Sequence, residues 1–352
     1  MPSNPELIDD SQMILHAVNW NRKIDEFTEY FWEQNNRQNW IDTEFVPSDD
    51  IKVWKQMDKA LQTAYAFALA GLTFLDTIQA NVGMSQLAIH LKELKRKSVA
   101  GFMAMMEHMH AKSYSTIFTT LITDGSYIDW LLEDWVRSHP LLQKKARIIQ
   151  SIYLSIKNDE DLFMAMVASV FLESYLFYSG FFLPLFLAGG GVDGKAMLTN
   201  SAEIINLILR DEAIHGNFVG MLAQELFESF DAETQGRLQT KMFTLLEELH
   251  EIEMAYTEEI YAEIGLADQV KAYVRYNANR ALQNMGFDDY FPEEPVNVIV
   301  MNATSKIAEF ITHDFFSQKG VYKKANVQPI TQADWDRVNA RLQVRAHLNR
   351  GM

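Results

Sequence analysis

The chain contains no cysteine. That excludes disulfides, zinc–thiolate sites and thiol nucleophiles, whatever the compartment. Proline is scarce, at 8 in 352 residues, and glycine is modest at 16, so long stretches run without a helix breaker. Positive charge is in deficit, since 31 Lys and Arg face 47 Asp and Glu and leave a formal net charge of −16. A balance this acidic argues against nucleic acid as a general partner, because phosphate binding needs clustered Lys and Arg. The opening residues, Met1 to Glu6, are polar and lack the basic stretch and apolar run of a signal peptide, so a cytoplasmic protein is expected. One apolar run, Val167 to Ala188, is about as long as a membrane-spanning helix. It holds Glu173 near its start and Pro184 near its end, its flanks are not basic, and no second such run is expected. It therefore reads as a helix buried in a large helical core, not as a membrane span.

What the chain does have is apolar surface at helical spacing. Hydrophobic residues make up 48% and aromatics 12%, enough for a thick core. Apolar positions recur every three or four residues in 57–80, 97–121, 201–227 and 238–264. Strand-like alternation is hard to find, which predicts an all-α fold. Breaks fall at Pro47 to Asp50, at Asp124-Gly125, at Gly189 to Gly194, and between Asn284 and Val296. None has the composition of an interdomain linker. From Lys319 to Met352 the local net charge is +5, against −21 for the remainder. This divides the chain into a helical domain over 1–317 and an expected mobile C-terminal tail over 318–352.

Two Glu-x-x-His motifs stand out, Glu107 to His110 and Glu212 to His215. Residues three apart on a helix project from one face, so each carboxylate and imidazole can ligate one metal ion together. Two such helices facing each other, with one further carboxylate from each of two more, make the dinuclear site of a ferritin-like helical bundle. One Glu-x-x-His is weak evidence, since roughly one is expected by chance in a chain of this composition. A third, Glu247 to His250, lies in a carboxylate-rich stretch running to Glu263 and reads as a solvated helix face. The first two lie in apolar runs, where a charge is costly unless paired or metal-bound. The same argument selects Asp76, after Ala70 to Leu75, and Glu173. For each, the bland reading is a buried acid paired with a distant Arg or Lys. Oxygen-rich ligation with one histidine per ion suits iron or manganese better than structural zinc.

Tyr114 is four residues after His110 and seven after Glu107, and so shares their face; Phe118 continues the stripe. A tyrosine there is commonly plain core packing. Beside an oxidised dinuclear site its phenol is also a source of one electron and one proton. Phe171, Phe177 and Phe181 would wall such a radical from water.

Four runs carry a resemblance to a known family: Leu75 to Gln79, Glu107 to Phe118, Phe171 to Gly180, and Arg210 to Gly216. They occur in family order and resemble the small subunit of class Ib ribonucleotide reductases. Asn19 to Arg22 and His313 to Phe316 look similar too. The resemblance implies a ferritin-like bundle with additional helices. It implies one metal on Asp76, Glu107 and His110, another on Glu173, Glu212 and His215, and a stable radical on Tyr114. The centre would be dinuclear manganese or iron, with manganese loaded by a flavodoxin-like activase. The radical would pass to a separate large subunit, where ribonucleotides become deoxyribonucleotides. Trp40, Asp211 and Tyr322 resemble members of the transfer path, with Trp32 and Trp54 competing for the role of Trp40. A homodimer is the family expectation.

Two departures are visible. Gly189 to Lys195 looks longer than the family's loop between the third and fourth ligand helices. The tail continues past Asp334-Trp335-Asp336 into a basic run, Arg337 to Met352. Two further readings compete. An oxidase of the same fold with a lipid-like ligand would share the ligands and need no transfer path. A ferritin-type storage protein would have no use for Tyr114.

Overall fold

The computed structural model describes residues 17–22 and 25–304. Its helices are α1 (Glu26–Arg37), α2 (Ile51–Gln56), α3 (Lys59–Ile78), α4 (Met84–His90), α5 (Leu94–Leu121), α6 (Gly125–Asp129), α7 (Val136–Ser138), α8 (Pro140–Leu154), α9 (Asp159–Phe171), α10 (Tyr178–Ala188), α11 (Thr199–Glu228), α12 (Ala232–Tyr261) and α13 (Ala267–Asn284). Among the described residues there is no strand, only an isolated bridge between Val192 and Lys195. The fold is all-α and ferritin-like, as the sequence predicts. Several of the helices start where a side chain takes up free backbone N–H groups. Asp58 caps α3 at Ala60, Glu93 caps α5 at Arg96, Asn158 caps α9 at Asp161, and Asp231 caps α12 at Thr234.

The core is formed by α3, α5, α9 with α10, and α11. Helix α3 packs on α5 and α10, and α11 packs on α9, α10 and α5. Around it lie α8, α12 and α13. Helix α3 is rich in alanine, which favours helix and lets neighbours approach closely.

Two features differ from the expectation. The apolar run 167–188 is not one straight helix: a π-helical turn, Leu172–Leu176, separates α9 from α10. A second, Gln79–Gly83, joins α3 to α4. Such turns insert one residue and re-aim the side chains around it, and they recur at functional sites. The second difference concerns apolar runs. Asp159–Ala188 has an 18-residue window of mean hydropathy 1.5 that is wholly buried in protein. Lys59–His90 is another apolar stretch of spanning length, at mean hydropathy 1.2 and 61% buried, so the expected uniqueness of 167–188 is incorrect. The alanines of α3 explain both its hydropathy and its role as a core helix.

The 189–195 segment closes on itself. Gly191 N–H donates to Phe186 O at 2.8 Å and Lys195 N–H to Val192 O at 3.0 Å. Tyr322, His313 to Phe316, Asp334 to Asp336 and the whole of the expected tail lie outside the described residues.

Candidate metal centre

The four ligand-bearing elements meet at the middle of the core. Asp76 is in the last turn of α3, Glu107 and His110 are on α5, Glu173 is in the 172–176 turn, and Glu212 and His215 are on α11. All six are 0% exposed. Their ligand atoms form two groups, Asp76–Glu107–His110–Glu212 and Glu107–Glu173–Glu212–His215, with every atom of a group within 4.8 Å of the others. Glu107 and Glu212 belong to both. The two motifs interlock: His110 Nδ1 lies 2.8 Å from Glu212 Oε1, and His215 Nδ1 lies 2.7 Å from Glu107 Oε1. Within each motif the separations are longer, 3.5 Å for His110 to Glu107 and 3.6 Å for His215 to Glu212. Gly216 permits this approach, since a Cβ there would fall 2.0 Å from Ser174 Oγ, beside Glu173.

The donor set fits a pair of cations. Both oxygens of Asp76, Glu107 and Glu212, one oxygen of Glu173, Nδ1 of His110 and both nitrogens of His215 are buried without a hydrogen-bond partner. Close approach without hydrogen-bond geometry means the lone pairs address common points rather than each other. Among the described residues no Lys or Arg pairs with any of the four carboxylates, so the bland reading of Asp76 and Glu173 does not hold. Four buried carboxylates without basic partners are costly, and two divalent ions balance their charge.

The electrostatics say the same. Burial, then the charge of Glu107, pushes the Asp76 carboxyl well above its usual range. Burial, with Glu107 and Glu173, does so for Glu212. Burial would also raise Glu107, but the imidazoles of His110 and His215 outweigh it and hold that acid at about 2. Burial opposes protonation of His110, yet Asp211 and Glu107 raise it to about 10.

Tyr114 is fully buried on α5 and its hydroxyl has no hydrogen-bond partner. Burial, followed by the charges of Asp76, Glu212 and Glu107, raises its pKa well above 10.0, so the phenol keeps its proton. Phe118, Phe171, Phe177 and Phe181 are all buried core residues.

Trp40 is 4% exposed and its ring stacks on His110 at 6.2 Å and 19°. Its Nε1–H donates to Asp211 Oδ2 at 2.7 Å, and His110 Nε2 is 3.3 Å from the same oxygen. The competitors sit elsewhere: Trp32 contacts Trp20 and Phe102, and Trp54 contacts Tyr65. The third Glu-x-x-His does not join a metal group. Glu247 and Glu248 are exposed, and His250 Nδ1 is 3.1 Å from the Tyr175 hydroxyl. The description of 247–263 as a solvated face needs one correction, because Glu253 is fully buried against Lys145.

Sequence reasoning assigned no role to Gln38, Arg210, Gln79, Tyr153 or Ser169. Gln38 Nε2 donates to Asp211 Oδ1 at 3.1 Å, and Arg210 bridges Asp211 to Gln38 O. Gln79 contacts Glu173, Ser169 and Tyr153. The available signal for Gln79 was its place three residues after Asp76.

Fold and site together define a dinuclear-metal carboxylate protein of the ferritin-like class. Comparison narrows this. The profile of the family described as "Ribonucleotide reductase, small chain" matches residues 17–298. The chain is 50% identical to the ribonucleoside-diphosphate reductase subunit beta of Bacillus phage SPbeta, over 92% of this chain and 96% of that protein. It is 47% identical to the subunit beta of Bacillus subtilis (strain 168), with the same coverage. Among solved structures, dimanganese(II)-NrdF of Streptococcus sanguinis superposes with a TM-score of 0.78 at 40% identity, covering 83% of this chain and 100% of that one. The R2 subunit from Clostridium botulinum, at 22% identity and a TM-score of 0.71, shares the fold. The chain belongs to the small-chain family of ribonucleotide reductases, in its class Ib branch. It is the small subunit of an oxidoreductase that works with a large subunit.

Proposed function

We propose that Asp76, Glu107, His110, Glu173, Glu212 and His215 hold two manganese or iron ions and that Tyr114 carries the radical. Bound there, the metal pair would supply a one-electron oxidant. Tyr114 would give its electron to that pair and its phenolic proton to the carboxylate cluster that faces it, Asp76, Glu212 and Glu107. The apolar residues around the core exclude water and reductants from it. Asp211 joins His110 to Trp40, and Trp40 with Tyr322 carries the oxidising equivalent toward the large subunit, which the tail over 318–352 contacts. Ribonucleotide reduction takes place on that subunit, consistent with a small subunit lacking cysteine.

The observation that carries the reading is the joint geometry: two interlocked sets of unpartnered buried ligand atoms, a buried unpartnered phenol on the same helix, and the His110–Asp211–Trp40 contact. That contact favours a radical generator over a two-electron oxidase, which would use the six ligands and have no need of Trp40. A homodimer is part of the same reading. A flavodoxin-like activase for manganese loading and a cytoplasmic location complete the proposal.

The test is reconstitution of metal-free protein, with Fe(II) and oxygen or with Mn(II) and a reduced activase, followed by EPR. A tyrosyl signal present in the native chain and absent from Tyr114→Phe at equal metal content is expected. Full metal occupancy without a radical under both conditions would sink the proposal.

A further inference from the structure

Glu173 is unlike the other three carboxylates. Asp76, Glu107 and Glu212 have both oxygens unpartnered, whereas only Oε2 of Glu173 is free. Its Oε1 accepts a hydrogen bond from Gln79 Nε2. The same Nε2 donates to Ser169 Oγ at 2.9 Å, and Gln79 Oε1 accepts from the Tyr153 hydroxyl at 2.7 Å. Gln79, Tyr153 and Ser169 are all 0% exposed.

The direction of this chain is fixed by chemistry. An ionised carboxylate only accepts, so Gln79 must present its NH2 group to Glu173. Its carbonyl oxygen then faces Tyr153, whose hydroxyl must donate. Reversing the amide would set two acceptors against each other in the dry core and leave the buried carboxylate oxygen without a donor. Space for the chain comes from Gly83, four residues on in the same π-helical turn. A Cβ at Gly83 would fall 2.1 Å from Gln79 Oε1 and 2.9 Å from Tyr153 Cε2. Both ends of the contact thus sit in π-helical turns, Gln79 in one and Glu173 in the other.

We propose that Gln79, oriented by Tyr153, is a positioning residue that holds Glu173 so that Oε2 alone is offered to the metal. It thereby sets affinity on the Glu173–His215 side of the centre more than on the Asp76–His110 side, where neither Asp76 oxygen has a hydrogen-bond partner. The inference rests on the proposed metal centre.

The experiment titrates full-length metal-free protein with Mn(II), following binding by calorimetry and the bound ions by EPR, with a thermal melt of each metal-free variant. In Gln79→Met, which keeps the length and removes the donor, one binding step weakens about tenfold or more while the other changes little. The EPR spectrum of the fully loaded protein changes with it. Tyr153→Phe weakens the same step less. The double variant matches Gln79→Met, because Tyr153 acts only through Gln79. If Gln79→Met fails to fold, Tyr153→Phe carries the test by the same step and spectrum. The proposal is overturned by equal weakening of both steps, by an unchanged spectrum, or by additive effects in the double variant. A native chain that fails to bind two ions sinks the metal-centre reading and this inference with it. A native chain that binds two ions, with Gln79→Met binding identically, sinks this inference alone.

Discussion

Trp40 and Asp211, 171 positions apart in sequence, are joined by a 2.7 Å hydrogen bond from the indole Nε1–H to Oδ2. That oxygen also faces His110, while Oδ1 is held by Gln38 and Arg210. Asp211 is therefore fixed from both sides and connects the Trp40 indole to His110 of the proposed metal centre. Trp40→Phe removes the donor and the redox-active ring but keeps the apolar bulk. The Tyr114 radical should persist in EPR, and ribonucleotide reduction with a matching large subunit should fall to background. Turnover retained in Trp40→Phe would remove Trp40 from the path.

Lys145 and Glu253 form an ion pair that is 1% and 0% exposed, with the ammonium 4.7 Å from the Tyr256 ring centroid. Removing one partner strands a charge in the core. Lys145→Met or Glu253→Leu alone should cost about 3–5 kcal/mol, while the double variant should recover most of it. Urea denaturation of the three variants checks this. A double variant destabilised by the sum of the two singles would show that the pair is not coupled.

His250 is held neutral by burial, assisted by Arg275, with its pKa pushed down to about 4 from the ordinary 6.5. Above pH 6.5 neither the folded nor the unfolded form is charged. As pH falls from 6.5 toward 4, the unfolded chain takes up a proton that the folded chain refuses, so stability is lost in that window. His250→Gln should reduce this loss, read as a smaller drop in the urea midpoint between pH 7.5 and pH 5 in metal-free protein. Parallel curves for the two chains would contradict it.

Metal removal should destabilise the fold, because the ions bind the folded arrangement and neutralise four buried carboxylates. Free Mn(II) at about one hundred times its dissociation constant adds roughly 2.7 kcal/mol per site. Affinity should rise with pH, since His110 and His215 must lose their protons to ligate. Melting curves across a Mn(II) series at two pH values test both points. An unchanged midpoint at saturating metal would count against the site.

Much of this protein is written locally. Helix positions follow from apolar spacing, and a carboxylate isolated in an apolar run announces a buried charge that needs a partner. Glu107 with His110, and Glu212 with His215, share a face because they are three residues apart. Family motifs around those residues carried the rest of the expectation. The tertiary structure alone decided which groups face each other. It crossed His110 with Glu212 and His215 with Glu107, and so placed both glutamates in both ligand groups. It set Trp40, rather than Trp32 or Trp54, beside Asp211. It also buried Glu253 in a stretch whose composition reads as solvated. The turn at 172–176 and the Gln79–Tyr153 contact were equally hidden. An inserted residue leaves apolar composition unchanged, and hydrogen bonds between residues 74 to 173 positions apart depend on how helices pack. Periodicity specifies which face of a helix is buried; only packing specifies what that face meets.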